Sequence, residues 1–159
     1  LNFKETNLTQ MMTDIIKRLQ PMADAKYISL QWDASKEIHA EADEMKLSLA
    51  ISNLVDNAVK YTPEEGTVKV SLDADHQNVF ISVADTGIGI PEDEVNRIFE
   101  RFYRVDKTRD RETGGTGLGL SITHSTIMMH KGSIKVNSKE EEGTTILVRI
   151  PLKQPTTHG

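Results

Sequence analysis

The sequence predicts an α+β domain with helices packed on one face of a mixed sheet. Three observations predict it. Stretches with apolar residues at three- and four-residue spacing are interspersed with stretches that alternate every second residue. The alternating stretches come in neighbouring pairs joined by short turns, as antiparallel hairpins do, without the strict strand–helix–strand rhythm of a parallel fold. The chain has 159 residues, of which 37% are hydrophobic, enough for one domain with its own core and little more.

The elements follow in order. Residues 9–25 put Met11, Met12, Ile15, Ile16, Leu19 and Met22 on one helical face. Thr9 is the expected N-cap, and Pro21 is expected to kink or end that helix. Residues 27–32 alternate as a strand, and residues 37–42 make a second short one. Asp43 caps a helix over 44–60 whose apolar stripe is Leu47, Ala50, Ile51, Leu54 and Ala58. A turn at 62–66 leads to strands at 67–72 and 79–84 with a hairpin turn at 75–78. A glycine-rich loop at 85–91 precedes a short helix at 92–98. Residues 106–117 contain no apolar side chain and are expected to be a mobile segment. A helix over 117–130 and strands at 133–138 and 144–150 complete the domain, expected to span 1–152, with a fraying tail at 153–159.

Composition excludes several classes of function. There is no cysteine, hence no disulfide scaffold, thiolate nucleophile or Cys-based metal site. A net charge of -5 argues against a nucleic-acid surface. No apolar run approaches the ~20 residues of a membrane span, so direct membrane contact is not expected. The chain starts at Leu1 without Met and is expected to be a fragment of a longer protein.

Four motifs carry chemistry. The helix 44–60 sets Asn53, Asn57, Lys60 and the following Tyr61 on or near one stripe. Amide oxygens suit a hard cation that keeps its waters, such as Mg²⁺, and a lysine suits a phosphate. The same stripe also fits a solvated polar face. Asp85 closes a strand and opens the turn Asp85-Thr86-Gly87-Ile88-Gly89-Ile90. A carboxylate there accepts a hydrogen bond from an exocyclic amine, selecting adenine over guanine, while glycines let backbone approach a planar ligand; an ordinary turn reads the same way. Phe99, Phe102 and Tyr103 would anchor a segment bearing Arg104, Lys107, Arg109 and Arg111, cations suited to a triphosphate. A merely solvated loop remains open for any one of them. Gly114-Gly115-Thr116-Gly117-Leu118-Gly119 opens directly into a helix, where freed N–H groups bind phosphate oxygens. Its spacing is neither a P-loop nor a dinucleotide fingerprint, and alone it also fits a linker capping a helix.

Taken together the motifs resemble a known family. NLVDNAVKYTP (53–63) resembles the N box of sensor histidine kinases, DTGIGI (85–90) their G1 box, FERFYR (99–104) their F box, GGTGLGLS (114–121) their G2 box, and GTTILVRIP (143–151) their closing strand. The resemblance runs from about Asn7 to Pro151. It identifies the chain as a catalytic ATP-binding domain of the superfamily shared with gyrase, the Hsp90 chaperones and mismatch-repair ATPases. The wording of the boxes is most similar to kinases of cell-wall homeostasis in Gram-positive bacteria.

The resemblance implies a two-layer α/β sandwich of the Bergerat type with a flexible lid over an ATP site. It implies Asn57 as the main Mg²⁺ ligand with Asn53 beside it, Lys60 on a phosphate and Tyr61 stacked on adenine. Asp85 would take the adenine amine, Gly87 and Gly89 would shape the base pocket, and Ile90 would touch the ring. Either Thr144 or Thr145 would support Asp85. Arg104, Lys107 and Arg109 would reach the phosphates from the lid, and Gly115, Thr116, Gly117, Leu118 and Gly119 would wrap them. Asn53, Lys60, Arg104 and Arg109 are the residues expected to act in phosphoryl transfer.

None of His39, His76, His124, His130 and His158 has the context of the family's phosphoacceptor, so these are expected at surface or satisfied packing positions. The acceptor is expected on a dimerisation domain preceding this chain, with a response regulator as the onward partner. The expected setting is a cytoplasmic domain of a membrane-anchored homodimer, the fragment itself being monomeric. The alternatives are a serine kinase of the same superfamily or a non-catalytic nucleotide-binding module. An ATP hydrolase is disfavoured, because Asn53 occupies the place, one turn before Asn57, where such relatives carry a basic glutamate.

Overall fold

In the computed structural model, residues 2–90, 95 and 117–154 are described. Among the described residues, seven strands and three helices run in the order β1 (Lys4–Asn7), α1 (Leu8–Ala25), β2 (Ser29–Ala34), β3 (His39–Ala42), α2 (Glu44–Lys60), β4 (Thr67–Ala74), β5 (Asn78–Asp85), α3 (Gly117–Met129), β6 (Ser133–Lys139) and β7 (Gly143–Pro151). Five strands form one sheet in the order β2-β4-β5-β7-β6, with only the β2–β4 pair parallel. This is the expected α+β architecture with a mixed sheet. Of the expected helix at 92–98 only residue 95 is described, and the segment expected to be mobile at 106–117 lies outside the described residues except for Gly117, which opens α3. No described helix is long and apolar enough to cross a membrane.

The layers follow from the two periodicities. On the inward face, β4 contributes Val68, Val70 and Leu72, β5 contributes Val79, Ile81 and Val83, and β7 contributes Val148 and Ile150, all buried. Against them pack Leu8, Met12 and Ile15 of α1, Leu47, Ile51 and Leu54 of α2, and Ile127 of α3. At roughly 1.5–3 kcal/mol per large apolar side chain withdrawn from water, this one core supplies most of the favourable free energy.

Three local expectations are corrected. The N-cap of α1 is Asn7, not Thr9: the Asn7 side chain accepts from Gln10 N at 3.0 Å. Thr9 instead ties down the entry to β3, accepting from Ile38 N at 2.9 Å and donating to Lys36 O at 3.3 Å. α1 also does not end at Pro21 but continues to Ala25. Pro21 lies on the exposed face, where water can take up the Lys17 carbonyl that loses its partner. The strand placed at 27–32 begins only at Ser29, because Tyr27 is left-handed (φ 59°) and 70% exposed. One element was not foreseen: β1 pairs antiparallel with β3 in a separate two-stranded sheet, Lys4 opposite Ala42 and Asn7 opposite His39.

α2 and α3 lie antiparallel, and two polar contacts set their register. Thr123 Oγ1 donates to Ala50 O at 3.1 Å. Seven residues along each helix, His130 Nε2 accepts from Asp43 N at 3.1 Å. In that register the first turn of α3 runs beside residues 53–56 of α2. His130 is fully buried, its Nδ1 is 2.8 Å from Thr126 O, and Phe3 meets its ring edge-on at 5.1 Å. These partners assign the tautomer with the proton on Nδ1. His130 thus occupies a satisfied packing position, as expected.

Replacing His130 by Leu strands the Asp43 N–H at the start of α2, a buried donor without an acceptor. The expected cost is about 1–3 kcal/mol in urea unfolding, and an unchanged midpoint would contradict the assignment.

Candidate functional site

The site forms where the last turn of α2 meets the end of β5. Asn53 and Asn57 sit one turn apart on α2 and are half-buried. Among the described residues neither side-chain amide has a hydrogen-bond partner, which leaves both open to a ligand or to water. Lys60 closes the helix, with its Nζ 3.1 Å from Asp56 Oδ2. Such an i,i+4 pair contributes only about 0.3–0.5 kcal/mol, so Lys60 is easily released to a stronger anion. The terminal carbonyls of α2 are held by Lys26, whose Nζ donates to Val59 O at 3.0 Å and Lys60 O at 2.6 Å.

Asp85 is the last residue of β5. Its Oδ1 accepts from Gly87 N at 2.8 Å and from Thr144 N at 3.2 Å. Among the described residues its Oδ2 has no partner. Burial pushes the carboxyl above its ordinary pKa, opposed by the Gly87 and Thr144 amides. The register pairs Asp85 with Thr144, and strand alternation sends Thr145 to the opposite face of the sheet. Of the two threonines, the one beside Asp85 is Thr144.

The loop after Asp85 is clamped from both sides. Ile88 N donates to Tyr61 O at 3.4 Å, and a Cβ on Gly87 would stand 2.6 Å from that same carbonyl. On the other side Glu141 N donates to Ile88 O at 2.6 Å, and Ile90 N donates to Ser138 Oγ at 2.8 Å. Gly89 has φ +71°, and a side chain there would strike the Lys139 carbonyl. The N box and the G1 box, 28 residues apart from Asn57 to Asp85, are thereby joined through one backbone hydrogen bond.

Gly117, Leu118 and Gly119 fall in the first turn of α3, which the register sets beside residues 53–56 of α2. Arg104, Lys107, Arg109, Gly115 and Thr116 lie outside the described residues. Among the described residues no group of three or more His, Asp or Glu could hold a metal. A cation here would rest on the Asn53 and Asn57 amide oxygens together with ligand oxygens and water. Two supporting residues had no readable signal. Lys26 is 33 and 34 residues from the carbonyls it holds, and Ser138 is 48 residues from Ile90.

Residues 42–154 match the family of histidine kinase-, DNA gyrase B-, and HSP90-like ATPases. The chain belongs to this family. Its sequence is 38% identical over 149 residues to the sensor histidine kinase WalK of Bacillus subtilis (strain 168), covering 92% of this chain and 24% of WalK. It is 40% identical over 154 residues to the sensor histidine kinase RppB of Synechocystis, covering 96% of this chain and 34% of RppB. The chain thus spans about a quarter to a third of these relatives. Among solved structures, the nucleotide-free catalytic domain of the histidine kinase ThkA superposes with TM-score 0.85 at 29% identity, covering 96% of this chain and 97% of that one. Full-length ShkA in complex with AMPPNP gives TM-score 0.84 at 30% identity, covering 99% and 32%. ThkA in complex with the response regulator TrrA gives 0.79 at 26%, covering 94% and 42%. The fold is that of histidine kinase catalytic domains, and the chain is an ATP-binding domain of this family.

The raised pKa of Asp85 has a signed consequence. Its folded value exceeds its unfolded value, so folding takes up a proton between the two. The penalty is absent below the ordinary carboxylate value and sets in as pH rises through the raised one. Asp85→Asn keeps the oxygen that accepts from Gly87 and Thr144 and removes the buried charge. Its Tm without nucleotide should equal or exceed that of the parent at pH 7, and the gain should vanish on acidification; a lower Tm at pH 7 would refute the desolvated-carboxylate reading.

Proposed function

We propose that this chain binds Mg-ATP between the last turn of α2, the loop at 85–90 and the first turn of α3, and that it phosphorylates a histidine on a separate dimerisation domain. The phosphoryl group then passes to a response regulator. The observation that carries the reading is two sets of polar groups brought to one corner by the Ile88–Tyr61 hydrogen bond: Asp85 Oδ2 and the Asn53 and Asn57 amides, none of which has a hydrogen-bond partner among the described residues. An adenine nucleotide fits that pairing, with a donor amine on its base and a hard, metal-binding triphosphate.

In this reading Asp85 accepts from the exocyclic amine of adenine. Guanine would set its O6 oxygen against the carboxylate, which repels it. Gly87, Gly89 and Ile90 form the floor of the base site, Tyr61 lies on the ring, and Thr144 steadies Asp85. Asn57 and Asn53 hold Mg²⁺, which when bound neutralises phosphate charge. Lys60 leaves Asp56 for a phosphate oxygen. Arg104, Lys107 and Arg109, with the 115–119 amides, complete the charge neutralisation. The acceptor imidazole nitrogen attacks the γ-phosphorus; the N–P bond forms, the bond to the β–γ bridging oxygen breaks, and ADP leaves with the electron pair. Little covalent help is needed, and none of the described residues of the site supplies a base to activate water: Asn53, one turn before Asn57, is an amide. The ShkA complex with AMPPNP and the ThkA complex with TrrA support the nucleotide and the onward partner. The parent protein is read as a membrane-anchored homodimer.

The decisive test mixes the chain with Mg²⁺, γ-labelled ATP and a separately produced dimerisation–acceptor segment of a sensor histidine kinase. An acid-labile, base-stable phosphate on that segment is expected; an acid-stable, base-labile one would instead mark a serine kinase. Asn57→Ala should weaken Mg-ATP about tenfold or more, the scale of losing a metal contact, while leaving adenosine binding unchanged. Equal losses for both ligands in titration calorimetry would remove the metal assignment.

A further inference from the structure

Ser138 lies on β6, an edge strand, and belongs to none of the four boxes. Its hydroxyl nonetheless meets three partners from three places in the chain. It accepts from Ile90 N at 2.8 Å, faces Thr144 Oγ1 at 2.7 Å and reaches Gly143 O at 3.2 Å. Thr144 in turn donates its backbone N–H to Asp85. A serine hydroxyl offers one proton and two lone pairs. The Ile90 N–H takes one lone pair in every arrangement, which leaves two ways to place the protons. Either Ser138 donates to Gly143 O and Thr144 donates to Ser138, so that Thr144 offers only lone pairs to a ligand. Or Ser138 donates to Thr144, whose own proton is then free for a ligand. The first state matches a donor, and the second matches an acceptor such as a ring nitrogen or a bridging water.

We propose that Ser138 is a positioning and specificity-determining residue of the base site, acting through Thr144 and Ile90 rather than by touching the nucleotide. It holds the loop at 85–90 against the β6–β7 hairpin and sets the hydrogen-bond polarity of the Thr144 hydroxyl beside Asp85. The inference rests on the reading of Asp85 as the adenine-binding residue. Loss of the Ser138 hydroxyl frees the Ile90 amide and lets the Thr144 hydroxyl turn, without touching the apolar core.

The test compares the parent chain with Ser138→Ala and Ser138→Thr, the latter keeping the hydroxyl. Affinities for ATP, GTP and adenosine come from calorimetry, and amide hydrogen exchange at Ile90 is followed without nucleotide. Ser138→Ala should weaken both ATP and adenosine about five- to tenfold, the worth of one or two hydrogen bonds, and narrow the ATP-to-GTP preference. Ile90 exchange should quicken while protection in α2 and β5 is retained. Ser138→Thr should restore the preference. An unchanged ATP-to-GTP ratio in Ser138→Ala, or a Ser138→Thr variant as impaired as Ser138→Ala, overturns the role of Ser138 and leaves Asp85 standing. A parent chain that binds GTP as well as ATP overturns the Asp85 reading and this inference with it.

Discussion

A single carboxylate drawn part-way out of water organises this molecule. Asp85 ends a strand whose preceding inward residues are Val79, Ile81 and Val83, so the same alternation that builds the core delivers the acid to the core's rim. One of its oxygens is committed to the amides of Gly87 and Thr144, which fixes both the turn that follows and the strand alongside. Burial disfavours the charge and the two amides compensate only in part. A group held in that state has a strong preference for a donor at its free oxygen, which is what a recognition site requires.

The helices complete the arrangement by register. α2 is fixed at its start by the cap Asp43 and by His130 at the far end of α3, and at its finish by Lys26 from the end of α1. Asp43 accepts from Lys46 N with one oxygen and from Asn2 N with the other, and the Asn2 amide, ahead of that of Lys46, holds its carboxyl below the ordinary value. With both ends pinned, the polar stripe of α2 cannot rotate, and Asn53 and Asn57 are presented on the side where α3 begins. Stability and site geometry use the same contacts here: the apolar stripe Leu47, Ile51 and Leu54 decides which face is left for the amides.

Most of the candidate site could be named from the sequence because its motifs sit in short contiguous runs. The polar stripe of α2, the strand-end acid with its glycines and the glycine-rich helix start each occupy fewer than a dozen residues, and each is limited in type by local backbone demands. The supporting set was not legible. Lys26, Ser138 and the choice of Thr144 over Thr145 depend on contacts between segments distant in the chain, and a lysine, a serine or a threonine has many ordinary uses. Likewise β1 is too short and too polar to announce itself; it exists because β3 offers it an edge.

The sequence by itself determined the three described helices, the strands of the five-stranded sheet, the α+β class and the boxes, since periodicity and turn chemistry act over a few residues. It misjudged the cap of α1 and the start of β2, where a neighbouring strand or solvent overrode a local preference, and α1 did not end at Pro21. The tertiary structure alone decided that the α2 finish and the β5 finish share one corner, joined by the Ile88–Tyr61 hydrogen bond, and that the β6–β7 hairpin closes over the loop between them. The reason is physical: local propensity fixes dihedral angles, whereas register, face and neighbour are fixed only when apolar surfaces from distant segments are buried together and their leftover polar groups find one another.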